Sequence, residues 1–234
     1  MWYKNRNAAL VVKRFYAFSL TEILLSLSLG SILLLAASSL YADFHYTQHK
    51  QRELLHVQRN THQLLDYLQQ HIQHIGFQGI FRQASNYPLF ANHGKPYALN
   101  DQRCLVFFYD LNGDGCIGNR AKTQACHRSN LNSTTDVSKE LWGIKLEGKT
   151  LAVYEDSAVQ GCHKSECEKV LTDCRLGNWR KFSEMADYQV EELTFEWITF
   201  ERVLKTTLTL SSITQPDIQY RASAYSYLFN AKDW

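Results

Sequence analysis

A single carboxylate inside an otherwise uncharged apolar run constrains this chain more than any other feature. The run extends from Phe18 to Tyr41, 24 residues, and its only charge is Glu22. A helix of that length crosses a hydrocarbon layer of about 30 Å. A charge within it costs roughly 2.5 kcal/mol or more at mid-span, so the acid calls for a partner. Lys4, Arg6, Lys13 and Arg14 precede the run with no acid in the first 17 residues, and Asp43 is the first charge after it. Basic flanks stay cytoplasmic, which places the N-terminus inside and the bulk of the chain outside, with a single crossing of the membrane. A secretory signal would carry a small-residue cleavage site after the run. Ala36-Ala37-Ser38 has that composition, but the helical pattern continues through it; the small residue that stands out is Ala17, just before the run.

The remainder reads as an exported domain. The chain has 25 basic and 23 acidic residues. Its basic excess resides in the four cations of the first 17 residues, so nucleic acid is not an expected partner. Trp179-Arg180-Lys181 with Arg175 is the one basic cluster a DNA-capturing surface would use. Six cysteines, Cys104, Cys116, Cys126, Cys162, Cys167 and Cys174, all follow the apolar run. An even number in an oxidising compartment implies up to three disulfides, with about 15 pairings open. Cys162-His163 with Cys167 and Cys174 is a weaker zinc reading. No P-loop, G-x-S-x-G, H-E-x-x-H or paired-carboxylate pattern occurs, and catalysis is not expected.

Between Phe44 and Ile75 there is neither Pro nor Gly, and Leu54, Val57, Leu64, Leu65, Leu68 and Ile72 form an apolar stripe at helical spacing. Gly76 and Gly79 supply the stop. A helix over 18–75 would be about 87 Å long at 1.5 Å per residue. His45, His49, His56 and His74 lie roughly opposite the stripe, a polar face in which His45/His49 is the one pair spaced to hold a metal or respond to pH. Residues 103–109, 141–146 and 150–154 read as strands, the last two joined as a hairpin through Glu147-Gly148-Lys149. Residues 190–200, 203–212 and 220–229 read as an antiparallel meander. Three cysteines between Asp156 and Lys181 suggest a stapled loop. Asp110, Asn112 and Asp114 followed by Gly115 match the first half of an EF-hand calcium loop, but position 12 is Ala121 and a strand precedes it, so an EF-hand is excluded. A non-EF calcium loop and a strand-ending turn both remain open.

The segment Arg14-Phe-Tyr-Ala17-Phe18-Ser-Leu-Thr-Glu22 resembles the class III leader of type IV prepilins and pseudopilins: a basic segment, a small residue, Phe, and Glu four positions on. Ala17 stands where that family usually has Gly. The resemblance implies cleavage by a prepilin peptidase between Ala17 and Phe18, N-methylation of Phe18, and a Glu22 that neutralises the terminal amine of a neighbouring subunit. It implies an α+β, type IV pilin-like fold: leader 1–17, transmembrane half-helix 18–41, amphipathic half 42–76, and an exported head 77–234 with an antiparallel sheet and disulfide-stapled loops. The segment 107–115 and the Thr-rich strands near the C-terminus are similar to the prepilin peptidase-dependent protein B and PilW/PulJ-like group. The implied function is a minor pilin or pseudopilin that initiates or caps a type IV pilus, competence pilus or type II secretion pseudopilus. Its implied partners are the prepilin peptidase, other minor and major pilins and an inner-membrane assembly platform, and its final place is near the filament tip. No cofactor is required, and calcium at Asp110, Asn112 and Asp114 is the one candidate ligand. The alternatives are an uncleaved, membrane-anchored periplasmic calcium-binding or adhesive module and a DNA-capturing tip protein.

Overall fold

The computed structural model describes residues 19–79, 85–121, 124–155, 159–182 and 187–230. The expected cleavage pair, Ala17 and Phe18, lies outside the described residues. The chain divides into two compact units, residues 1–49 and 50–234, and helix α1 (Leu20–Gln73) contributes to both.

In the first unit α1 presents its apolar side chains outward: Leu20, Leu24, Leu27, Ile32, Leu35 and Leu40 are all exposed. Three of its serines do not need outside partners. Ser26, Ser28 and Ser31 donate their hydroxyls to the carbonyls of Ile23, Leu25 and Ser28 at 2.8–2.9 Å, which satisfies a polar group within its own helix. This is the single helix among the described residues long and apolar enough to cross a membrane.

In the second unit the α1 stripe is buried from Val57 through Thr61, Leu64, Leu65, Leu68 and Ile72. Thr61 fits there because its hydroxyl bonds the Val57 carbonyl at 2.8 Å. Leu54, expected in the stripe, is 40 % exposed, because the core begins one turn later. The helix ends as its last amides shift to i−3 carbonyls (His74 to His71, Ile75 to Ile72), and Gly76 then takes φ +78°, a conformation glycine adopts without strain.

A five-stranded antiparallel sheet has the order β1-β2-β5-β6-β7, formed by β1 (Tyr97–Asn100), β2 (Cys104–Phe108), β5 (Leu141–Glu147), β6 (Thr150–Tyr154) and β7 (Trp179–Lys181). The short pair β3 (His127–Arg128) and β4 (Leu131–Asn132) is separate, and a three-stranded sheet runs β10-β9-β8, from β8 (Tyr188–Thr199), β9 (Val203–Ser212) and β10 (Gln219–Tyr227). The expected single sheet is therefore two principal sheets plus a ribbon. Main-chain bonds join the two larger ones: Val190 donates to the Lys149 carbonyl at 2.9 Å and Phe195 to the Gln102 carbonyl at 2.8 Å. Leu105 and Phe107 of β2 face the α1 stripe, Leu193, Phe195 and Leu208 in one core. Val106 and Phe108 face a second core with helix α2 (Tyr87–Phe90), Ile117, Leu141, Tyr154 and Leu171. Burial on both sides explains why β2 reads as a continuous apolar run.

All six cysteines pair: Cys104–Cys174, Cys116–Cys126 and Cys162–Cys167. Only two of the three in the 156–181 loop bond each other. Cys174 ties the segment after helices α3 (Lys164–Cys167) and α4 (Lys169–Thr172) to β2, closing the longest loop, with a separation of 70 residues.

Candidate functional site

Two acidic positions stand out, one in each unit. Glu22 occupies the first turn of α1, with its amide bonded to the Ser19 carbonyl at 3.0 Å. The positive end of a helix dipole favours an acid there. Among the described residues its carboxylate has no hydrogen-bond or ion-pair partner, and the side chains around it on the helix (Leu24, Leu25, Ile23) are apolar and exposed. The neighbouring hydroxyls of Ser19 and Thr21 are occupied with each other at 2.7 Å.

The second position is the loop after β2. Asp110 is buried. Its Oδ1 accepts the amides of Gly113 (2.7 Å) and Asp114 (3.2 Å), and its Oδ2 that of Gly115 (2.7 Å). Asn112 Oδ1 accepts the Asp114 amide at 2.8 Å, and Asp114 accepts the amides of Cys116 and Arg120 at 2.9 and 3.0 Å. The three residues of the calcium-loop pattern thus converge on their own backbone and close the turn with main-chain donors. Gly79 lies against this turn with φ +61°, and a Cβ there would collide with Asp110 Oδ2. The end of the helix segment and the loop are further joined through Gly76 N–H to Phe108 O and Asp110 N–H to Phe77 O.

Sequence reasoning passed over the other half of this loop. Glu140, 2 % exposed, accepts the amides of Leu111 (2.9 Å) and Asn112 (3.0 Å) on Oε1 and of Gly118 (2.6 Å) on Oε2. Burial pushes its carboxyl up to about 7, with the Asp110 charge adding to the rise and the three amides opposing it. Asp110 is raised by burial as well, against the pull of its own amides. The available signal was an acid directly before the apolar Leu141-Trp142-Gly143-Ile144 strand, where Glu140 enters the interior with it.

His45, His49, His56 and His74 are all exposed, as their expected polar face requires, whereas His71 and His62, outside that face, engage the head. His71 Nδ1 lies 2.9 Å from the Tyr109 hydroxyl, and its ring stacks on Trp142 at 4.5 Å. Burial, with His74 beside it, lowers its pKa to about 4. His62 bonds the Tyr220 hydroxyl at 3.2 Å. Among the described residues no group of three or more His, Cys, Asp or Glu side chains is arranged to hold a metal. The basic cluster is spread out and paired: Arg175 bonds Asp173 at 3.1 Å, and Arg180 on β7 bonds Glu155.

Comparison with known proteins gives a consistent outcome. Residues 50–228 match the family model described as prepilin peptidase-dependent protein B. A protein of Haemophilus influenzae strain Rd, itself described as uncharacterized, is 29% identical over 135 residues, covering 55% of this chain and 56% of that protein. The match therefore spans little more than half the length of this relative. No solved structure matches the chain.

Proposed function

This chain belongs to the prepilin peptidase-dependent protein B family, and from that premise we propose that it works as a minor pilin or pseudopilin, a structural subunit rather than an enzyme. The observation that carries this reading is Glu22. In a helix segment where Ser26, Ser28 and Ser31 are satisfied locally, it is the one charge left for a neighbouring molecule. The precursor sits in the inner membrane with its leader cytoplasmic and its head periplasmic. A prepilin peptidase cuts between Ala17 and Phe18, and the methylated Phe18 amine of one subunit meets Glu22 of another. Pairing a buried acid with a terminal amine fixes the axial register of two apolar helices, as buried polar groups do in other helix assemblies. Van der Waals packing between the apolar helices, together with the Glu22–amine pair, drives association. Other pilins and an inner-membrane platform are the partners.

The calcium-binding or adhesive module is the second reading. It would draw on Asp110, Asn112 and Asp114, whose oxygens already hold the loop through main-chain donors. Intact-mass analysis of the native protein separates the readings. The pilin reading expects a chain lacking its first 17 residues and carrying one added methyl group. A chain beginning at Met1, stabilised by added Ca²⁺, would reverse the order.

A further inference from the structure

The three-stranded sheet has one covered edge and one open edge. On β8 the amides of Val190 and Phe195 point away from β9, to Lys149 and Gln102. Their partners across the ladder, Leu210 and Thr206, therefore turn their main-chain groups toward β10. On β10 the residues opposite them, Tyr220 and Ala224, with Ala222 and Ser226 in the same alternation, bond β9. The same parity places Leu228 N–H on Arg202 O at 2.9 Å. The N–H and C=O groups of Arg221, Ser223, Tyr225 and Tyr227 consequently face outward. Among the described residues that row has one hydrogen-bond partner, the Gln69 side-chain amide on the Tyr225 carbonyl at 3.0 Å.

Exposed edges are normally blunted by proline, bulges, free charges or short length. β10 has none of these. It is nine residues long, contains no Pro, and pairs with β9 without a register break. Its one charge, Arg221, is held by Glu192 at 3.2 Å. The bulges of this sheet lie on β8, whose far edge is covered. The outward row also carries large side chains in solvent: Tyr225, Tyr227 and the following Phe229 are 56, 46 and 69 % exposed.

We propose that the outer edge of β10 receives an extended strand from the head of a second pilin-class subunit. A row of donors and acceptors at two-residue spacing is matched along its length only by extended main chain. The edge runs beside α1, which reaches it through His62 on Tyr220 and Gln69 on Tyr225. A subunit packed along that helix therefore brings its own head to this edge. The inference rests on the pilin reading above.

The test is residue-resolved hydrogen exchange on the full-length protein, alone in detergent and then co-expressed with the pilin-class subunits and prepilin peptidase of its host. In the isolated protein the amides of Ala222 and Ala224 should be protected and those of Ser223 and Tyr225 should exchange freely. In the purified complex Ser223 and Tyr225 should slow by about tenfold or more. Ser223→Ala, which removes only the hydroxyl that meets Thr207 at 2.9 Å, should leave recovery of the other subunits unchanged, whereas Ser223→Pro, which also removes the outward amide, should lower it about tenfold at the same thermal stability as Ser223→Ala. If the proline variant unfolds, the wild-type exchange pattern still decides. Unprotected Ser223 and Tyr225 amides in a complex of trimmed subunits would overturn the edge inference and leave the pilin reading standing. An untrimmed protein that joins no complex would overturn both.

Discussion

Glu22 and Glu140 are the same residue type, and the chain treats them in opposite ways. Glu140 is enclosed by the fold and receives three backbone amides from the loop it organises. Glu22 stands on an exposed apolar helix with no partner among the described residues. The buried acid is satisfied by the fold and serves it, whereas under the proposed function the acid left unsatisfied serves assembly.

The comparison breaks most readily at Glu140. Glu140→Ala strands one buried and two half-buried amides and should destabilise the head by about 3 kcal/mol, read from the urea unfolding curve of the purified protein. A loss below about 1 kcal/mol would mean that the loop is not organised by this side chain. The next effect concerns pH. Glu140 holds its proton up to about 7 in the folded state against 4.5 unfolded, so its contribution is complete below 4.5 and declines as pH rises through 7. His71, lowered to about 4 from 6.5, contributes fully above 6.5 and loses that contribution as pH falls through 4. The two slopes oppose each other between 4.5 and 6.5. Glu140→Gln should leave stability rising with pH in that window, His71→Phe should leave it falling, and each slope should amount to about 2 kcal/mol. Parallel profiles for both variants would refute the assignment.

Asp114 is half-buried and accepts the amides of Cys116 and Arg120, so Asp114→Ala should cost about 1 kcal/mol. Glu22→Ala should change the head's unfolding midpoint by less than about 0.3 kcal/mol, yet abolish recovery of the protein in a complex with other pilins. Normal incorporation of that variant would remove the basis of the comparison and of the proposed function.

Regular alternation was the part of the fold that could be read in advance. Leu204, Leu208 and Leu210 alternate with Lys205, Thr207 and Thr209, and β9 occupies the expected residues 203–212. The two-residue turn Gly148-Lys149 between β5 and β6 was likewise visible, with Gly148 at φ +62°. β1 was not, because Tyr97–Asn100 is four residues long and follows Pro96; it is held by its register with β2 rather than by its own pattern. Disulfide pairing depends on the close approach of distant segments, so Cys104 with Cys174 could not be chosen from about 15 pairings. In the site, Asp110 announced itself through a turn motif. Glu140 did not, because its partners are amides contributed by a segment 22–29 residues away, and sequence pattern carries no record of backbone donors.

The main-chain join between the two larger sheets consists of the Val190 and Phe195 amides on two hairpin-turn carbonyls, with the Lys149–Glu191 and Lys95–Glu201 ion pairs beside it and continuous apolar packing beneath. Head rupture is therefore cheapest along that line, where few main-chain bonds must part before Leu64, Leu65 and Leu68 meet solvent. A protease probing the intact subunit would find its first productive cut beside β8. A neighbour that bridged the join from outside would guard the subunit against degradation as well as hold it in place.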